Sequence, residues 1–244
     1  MPRGRAARCL TLMVVALAAA CGTVWSVHPL FSDDDLVFEP RLLATWIDVA
    51  RPDGDRWLLV RTDTASRRYL LAVADSGHAA ALSGVDFGIL LESDSASRAR
   101  LERDPSARAR RARDSVTVSG MRSDGGGPRF FWALLGRLDG TLFADLSPAD
   151  IADSTPHLGK SLMIPAHWFW KISLDGDRLR ASPLNDDWLS KKIDSGKVRI
   201  AHEKENGDYI LTAPSGALQR LVRQYARDTL AFPRKKEAVF RRQR

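Results

Sequence analysis

The side chains able to do acid–base or metal chemistry are few and scattered. Histidines stand at 28, 78, 157, 167 and 202, with no i, i+4 pair and no His-Glu-x-x-His, so no zinc-binding helix face is encoded. Asp33-Asp34-Asp35 follows His28 closely. Consecutive carboxylates point in different directions and the calcium-loop spacing is missing, so the triplet reads as a solvated turn or helix cap. Gly125-Gly126-Gly127-Pro128 lacks the Lys-Ser/Thr that completes a phosphate loop, and no Gly-x-Ser-x-Gly is present. No metal, cofactor or nucleotide is implied, and no residue is assigned a catalytic role. His167 interrupts an aromatic strand; it reads as a satisfied polar residue on an outer sheet face, with a general base as the alternative. Five of the seven tryptophans, Trp46, Trp57, Trp132, Trp168 and Trp170, have rings that are the candidate walls of a ligand cavity or else plain core.

Those rings need strands to hold them, and the turns supply the evidence for strands. Pro52-Asp53-Gly54, Asp75-Ser76-Gly77, Asp139-Gly140, Asp175-Gly176 and Asn206-Gly207 each sit between runs of β-type residues. Such pairs tolerate the positive φ of tight hairpin turns. The alternation agrees. Ala166, Trp168, Trp170, Ile172 and Leu174 fall on one face of a strand, with His167, Phe169, Lys171 and Ser173 on the other. In the long strand from Phe130, Trp132 and Leu134 share a face with Leu138, opposite Phe131, Ala133, Leu135 and Arg137. Strands apolar on both sides suit a barrel with a helix packed outside. The expectation is a mainly β domain of about ten strands, an antiparallel meander closing into a barrel or half-barrel. Helices are expected over 185–193, with Trp188 and Leu189 inward, and over 215–227, with Leu218, Leu221, Val222 and Tyr225 at helical spacing.

The N-terminus carries a different signal. Arg3, Arg5 and Arg8 precede the uncharged run Leu10–Ala20, the order of a secretory signal peptide and too short for the ~20 residues that span a bilayer. Ala18-Ala19-Ala20-Cys21 resembles the lipobox of bacterial lipoproteins, with Leu17 one place further upstream than usual. That resemblance implies cleavage after Ala20 and acylation of Cys21. The alternative is an ordinary signal peptide that leaves a free thiol. Cys9 departs with the signal, so Cys21 would have no intramolecular disulfide partner. Several acyl chains at ~0.8 kcal/mol per buried CH₂ anchor a protein firmly. The absence of aspartate after the cysteine, where Gly22 stands, favours the outer membrane, facing the periplasm.

Loss of residues 1–20 lowers the formal net charge from +7 to +4. What remains is concentrated in two stretches: seven arginines over 98–113, and six basic residues over 233–244. The high pI therefore belongs to appendages, and the basic residues lack the interleaved aromatics of a nucleic-acid surface, so no nucleic-acid partner is expected. The organisation follows: signal peptide 1–20, lipidated tether 21–40, β-rich domain 41–232 with an arginine-rich flexible insertion at 92–128, and a fraying basic tail 233–244.

Two family resemblances attach to these segments. Leu42-Leu43-Ala44-Thr45-Trp46 resembles the Gly-x-Trp opening of lipocalin-like barrels, with Ala44 in place of the glycine. The resemblance implies that Trp46 plugs the closed end. The chain is also similar to an uncharacterised family of bacterial lipoproteins. Shared features are Val27-His28-Pro29-Leu30, Leu43-Ala44-Thr45-Trp46, Leu142-Phe143-Ala144-Asp145-Leu146 and Pro183-Leu184-Asn185-Asp186-Asp187-Trp188-Leu189. Three functions stay open at this point. One is a non-enzymatic module for an apolar or amphipathic molecule such as a lipid. Another is a structural or assembly lipoprotein with a filled barrel and an envelope-protein partner. The third is an envelope hydrolase.

Overall fold

Four of the five glycine turns close β-hairpins in the computed structural model, which describes residues 23–61, 67–85, 128–149 and 166–243 and single positions between 104 and 114. Asp139-Gly140 and Asn206-Gly207 have positive φ at both central residues, the type I′ pattern. In Gly176-Asp177 only the glycine is positive, at +56°, as a type II′ turn requires. The fifth expectation is corrected. Asp75 is a helix N-cap: its carboxylate accepts the His78 amide at 2.9 Å, and Ser76–Leu82 (α1) follows. The alanine run 79–81 favours helix over strand, so cap and propensity act together.

The main body is a closed eight-stranded antiparallel barrel with a helix near its C-terminus. Seven strands form a meander: β2 (Ala44–Asp48), β3 (Arg56–Arg61), β4 (Tyr69–Ala74), β5 (Arg129–Leu138), β6 (Thr141–Pro148), β7 (Trp168–Asp175) and β8 (Arg178–Pro183). The eighth, β11 (Ala238–Arg242), lies between β8 and β2 and removes both sheet edges. The expected fraying tail is therefore the closing strand. Its alternation sends Ala238 and Phe240 into the barrel core, a pattern that the flanking basic residues obscured.

The expected tether is corrected as well. Val24–Ser26 (β1) pairs in parallel with β10 (Asp208–Leu211), which pairs with β9 (His202–Glu205) in a separate three-stranded sheet. Leu30, Phe31 and Leu36 are buried. They join a second core against the outer face of β5–β7, shared with α2 (Asp186–Asp194) and α3 (Ser215–Tyr225). Phe31 lies flat on Gly136, where any Cβ would overlap its ring. On the far side, α1 covers the outer face of β3–β5 through Ala79 and Leu82, packed against Leu58, Leu70 and Phe130. Both faces of the central strands are buried, which explains why their sequences are apolar on both sides.

Candidate ligand cavity

The barrel interior divides into a filled half and an open half. At the filled end the chain crosses in a 3₁₀ turn, Pro40–Leu42, before entering β2. Trp46 is fully buried there, and its Nε1–H donates to the Leu42 carbonyl at 2.9 Å. The Arg242 guanidinium stacks over the Trp46 ring at 5.3 Å and also donates to the Arg41 carbonyl. Phe38 stacks on Tyr69 at 5.4 Å, and the Tyr69 hydroxyl bonds the Glu39 backbone. Burial pushes the Tyr69 phenol up to about 12, so it stays a neutral hydrogen-bonding group. Above this plug only a void of about 20 Å³ remains, lined by Leu42, Leu59, Leu135 and neighbours.

At the other end the same interior faces diverge around a cavity of about 490 Å³. The start of β3 supplies Trp57, the end of β4 Val73, the start of β5 Phe131, and the start of β7 Trp168 and Trp170. Trp57 meets Trp170 edge-on at 5.6 Å and Phe240 at 4.4 Å. All three tryptophans are only half-buried, so their faces are available to a ligand. The cavity then runs over the barrel rim to a second wall made by Val24, Trp25 and Ser26 of β1 and Leu211 of β10. Volume and apolar lining match the ~300–1,000 Å³ typical of small-molecule sites.

Three ionisable groups border this space, from three different elements. Arg129 opens β5, and its guanidinium is held by Asp55 at 2.9 Å. His167 precedes β7 and faces away from the barrel; its Nδ1 is bonded to Asp145 at 2.8 Å. Asp186 is the first residue of α2, and burial raises its carboxyl from 3.8 to about 6 against the lowering effect of the Val24 amide.

His167 proves to be part of a buried polar staple. Asp145 also accepts the Leu30 amide at 2.7 Å, so one carboxylate ties β6, the β7 entrance and the N-terminal segment together. Ser26 exchanges both backbone hydrogen bonds with His167. Serine, histidine and aspartate are thus neighbours, but the Ser26 hydroxyl donates to the His28 carbonyl at 2.8 Å and is fully buried. The geometry describes cross-linking of two layers, with no nucleophile among the described residues hydrogen-bonded to the imidazole.

The tryptophans expected as one wall are therefore split. Trp57, Trp168 and Trp170 line the cavity, and Trp46 belongs to the plug below. Trp132 is corrected: the pleat turns it to the outer face, beside Leu70 and the α1 layer. Cys21 lies outside the described residues. Sequence reasoning missed Trp25 and Asp186, the first because it sat in an expected tether, the second because it stood in the first turn of an expected helix, where an acidic residue is ordinary. Among the described residues no group of three or more His, Cys, Asp or Glu could hold a metal ion.

No family model, no curated protein and no solved structure matches the chain. The class it belongs to is defined by its own architecture: a closed, lipocalin-like eight-stranded barrel, plugged at one end and chambered at the other.

Proposed function

We propose that the protein is a lipid-anchored lipoprotein of the bacterial envelope whose barrel binds an apolar or amphipathic molecule. The observation that carries the binding role is the chamber itself, aromatic on the barrel side and open to solvent at its rim. Cys21 is the anchor, in keeping with the lipobox-like Ala18-Ala19-Ala20-Cys21. Val24, three residues beyond it, already lines the chamber. Three residues span at most about 10 Å, so acyl chains on Cys21 would hold the chamber close to the bilayer surface. Such a position gives a membrane amphiphile a short path into the cavity. The arrangement suits periplasm-facing attachment, with the outer membrane favoured by Gly22.

Native mass spectrometry of protein purified without detergent tests the binding role. A co-purifying mass that leaves on denaturation, and is lost in Trp170→Ala, is the expected result. A clean apo mass with no gain from envelope lipids would overturn it and turn attention to an envelope protein as partner. Anchoring is tested separately by the mass of the N-terminal peptide and its loss of acyl chains in Cys21→Ala.

A further inference from the structure

The charges around the chamber are unequally matched. Arg129 is paired with Asp55, and His167 with Asp145. Asp186 is different. It accepts one backbone hydrogen bond, from Val24, and its neighbours Asp187 and Asp208 are further acids. Lys236 acts on it by charge, but the Lys236 ammonium hydrogen-bonds Asn185 Oδ1 at 2.8 Å and contacts Asp187 at 3.4 Å. A half-buried carboxylate that forms no salt bridge among the described residues sits at the rim of a chamber whose walls include four tryptophans, Trp25, Trp57, Trp168 and Trp170. Aromatic faces attract cations and repel anions, and a carboxylate does the same.

We propose that the ligand is a cationic amphiphile: an apolar chain seated among Trp57, Trp170 and Phe131, with an ammonium group paired to Asp186. The inference rests on the reading of the chamber as a ligand site and names the class of ligand. Its head group completes the hydrogen bonding and charge of Asp186, which the folded chain alone leaves short. The raised proton affinity of Asp186 is consistent with that deficit. Arg129, the arginine that an anionic head group would meet, already has its charge offset by Asp55 and opens β5, three strands around the barrel from β8, the strand that leads into α2.

Tryptophan fluorescence titration at pH 7.5 with dodecylamine, dodecanol and dodecanoate separates the outcomes. Dodecylamine is expected to bind about tenfold or more tightly than dodecanoate, the span of one charge-assisted hydrogen bond. Asp186→Asn keeps an acceptor for the Val24 amide and is expected to remove that preference without weakening dodecanol. Asp186→Ser serves as a second variant, and the wild-type preference requires neither. Equal or tighter binding of dodecanoate, or an unchanged preference in both variants, would overturn the cationic ligand while leaving the chamber a ligand site. Failure of all three probes to bind wild-type protein would overturn the ligand site, and the cationic ligand with it.

Discussion

Trp46 and Trp170 both point into the same barrel, yet they occupy opposite kinds of environment. Trp46 has no exposed surface, its indole N–H is bonded to a carbonyl, and a cation covers its face. Trp170 is half-buried, touches Trp57 edge-on and borders open volume. The difference arises from what closes each end. The stretch 37–43, with its 3₁₀ turn, folds beneath Trp46. Around Trp170 the interior opens towards a second wall contributed by the small sheet, set apart from the barrel. Burial makes one ring a structural element and leaves the other free to contact a ligand.

The broadest way to test this division is to open the barrel between the two ends. Deleting 238–244 would expose the edges of β2 and β8, remove Phe240 from the core and strip Arg242 from the face of Trp46. Loss of the cooperative thermal transition by circular dichroism is expected; a sharp transition near the wild-type Tm would mean that β11 does not close the fold. Next in size, Trp46→Ala should cost about 3–5 kcal/mol in urea unfolding, as for other fully buried large aromatics. Trp168→Ala should cost about 1 kcal/mol, since much of that ring is already in water, and should weaken ligand binding. Equal losses in the two variants would erase the distinction between the ends.

The outer layer gives a smaller test. Asp145→Ala strands the Leu30 amide and the His167 ring in a buried site, for an expected loss of about 2–3 kcal/mol. Gly136→Ala drives a methyl into Phe31 and should cost about 1–3 kcal/mol through overpacking. If urea unfolding shows neither variant destabilised, the N-terminal segment is not integral to the fold.

The smallest expected effect is electrostatic. The folded carboxyl of Asp186 sits near 6 and the unfolded one near 3.8, so the folded state binds the proton more tightly. Its ionisation therefore subtracts stability above about pH 6, and the deficit vanishes as the pH falls below 3.8. Allowing for solvent screening at this partly exposed site, Asp186→Asn should raise stability by at most about 1 kcal/mol at pH 8. No gain is expected at pH 3.5. A destabilised variant at pH 8 would show that the charge at the start of α2 is serving the helix dipole instead.

Much of this architecture was legible along the chain. Asp139-Gly140, Gly176 and Asn206-Gly207 are local constraints on φ, so their hairpins follow from residue identity. The alternation in 166–174 reports burial on both faces for the same reason: the pleat is a local property. The helices at 186–194 and 215–225 were visible from spacing. Asp75-Ser76-Gly77 misled because a turn-forming aspartate and an N-cap aspartate use the same side-chain chemistry, and only the following alanines separate them.

The cavity was only half legible. Trp57, Trp168 and Trp170 could be named as possible walls, but Trp132 looked equivalent until strand register turned it outward. By itself, the sequence determined the hairpins, the two longer helices and the two-sided strands, because these depend on backbone torsions and on neighbours a few residues away. Only the tertiary structure decided that the tail closes the barrel, that Val24, Leu30, Phe31 and Leu36 are core, and that Asp186 meets the tryptophans at one rim. Those contacts join residues far apart in the chain, and their free energy comes from burying surfaces that have no local signature.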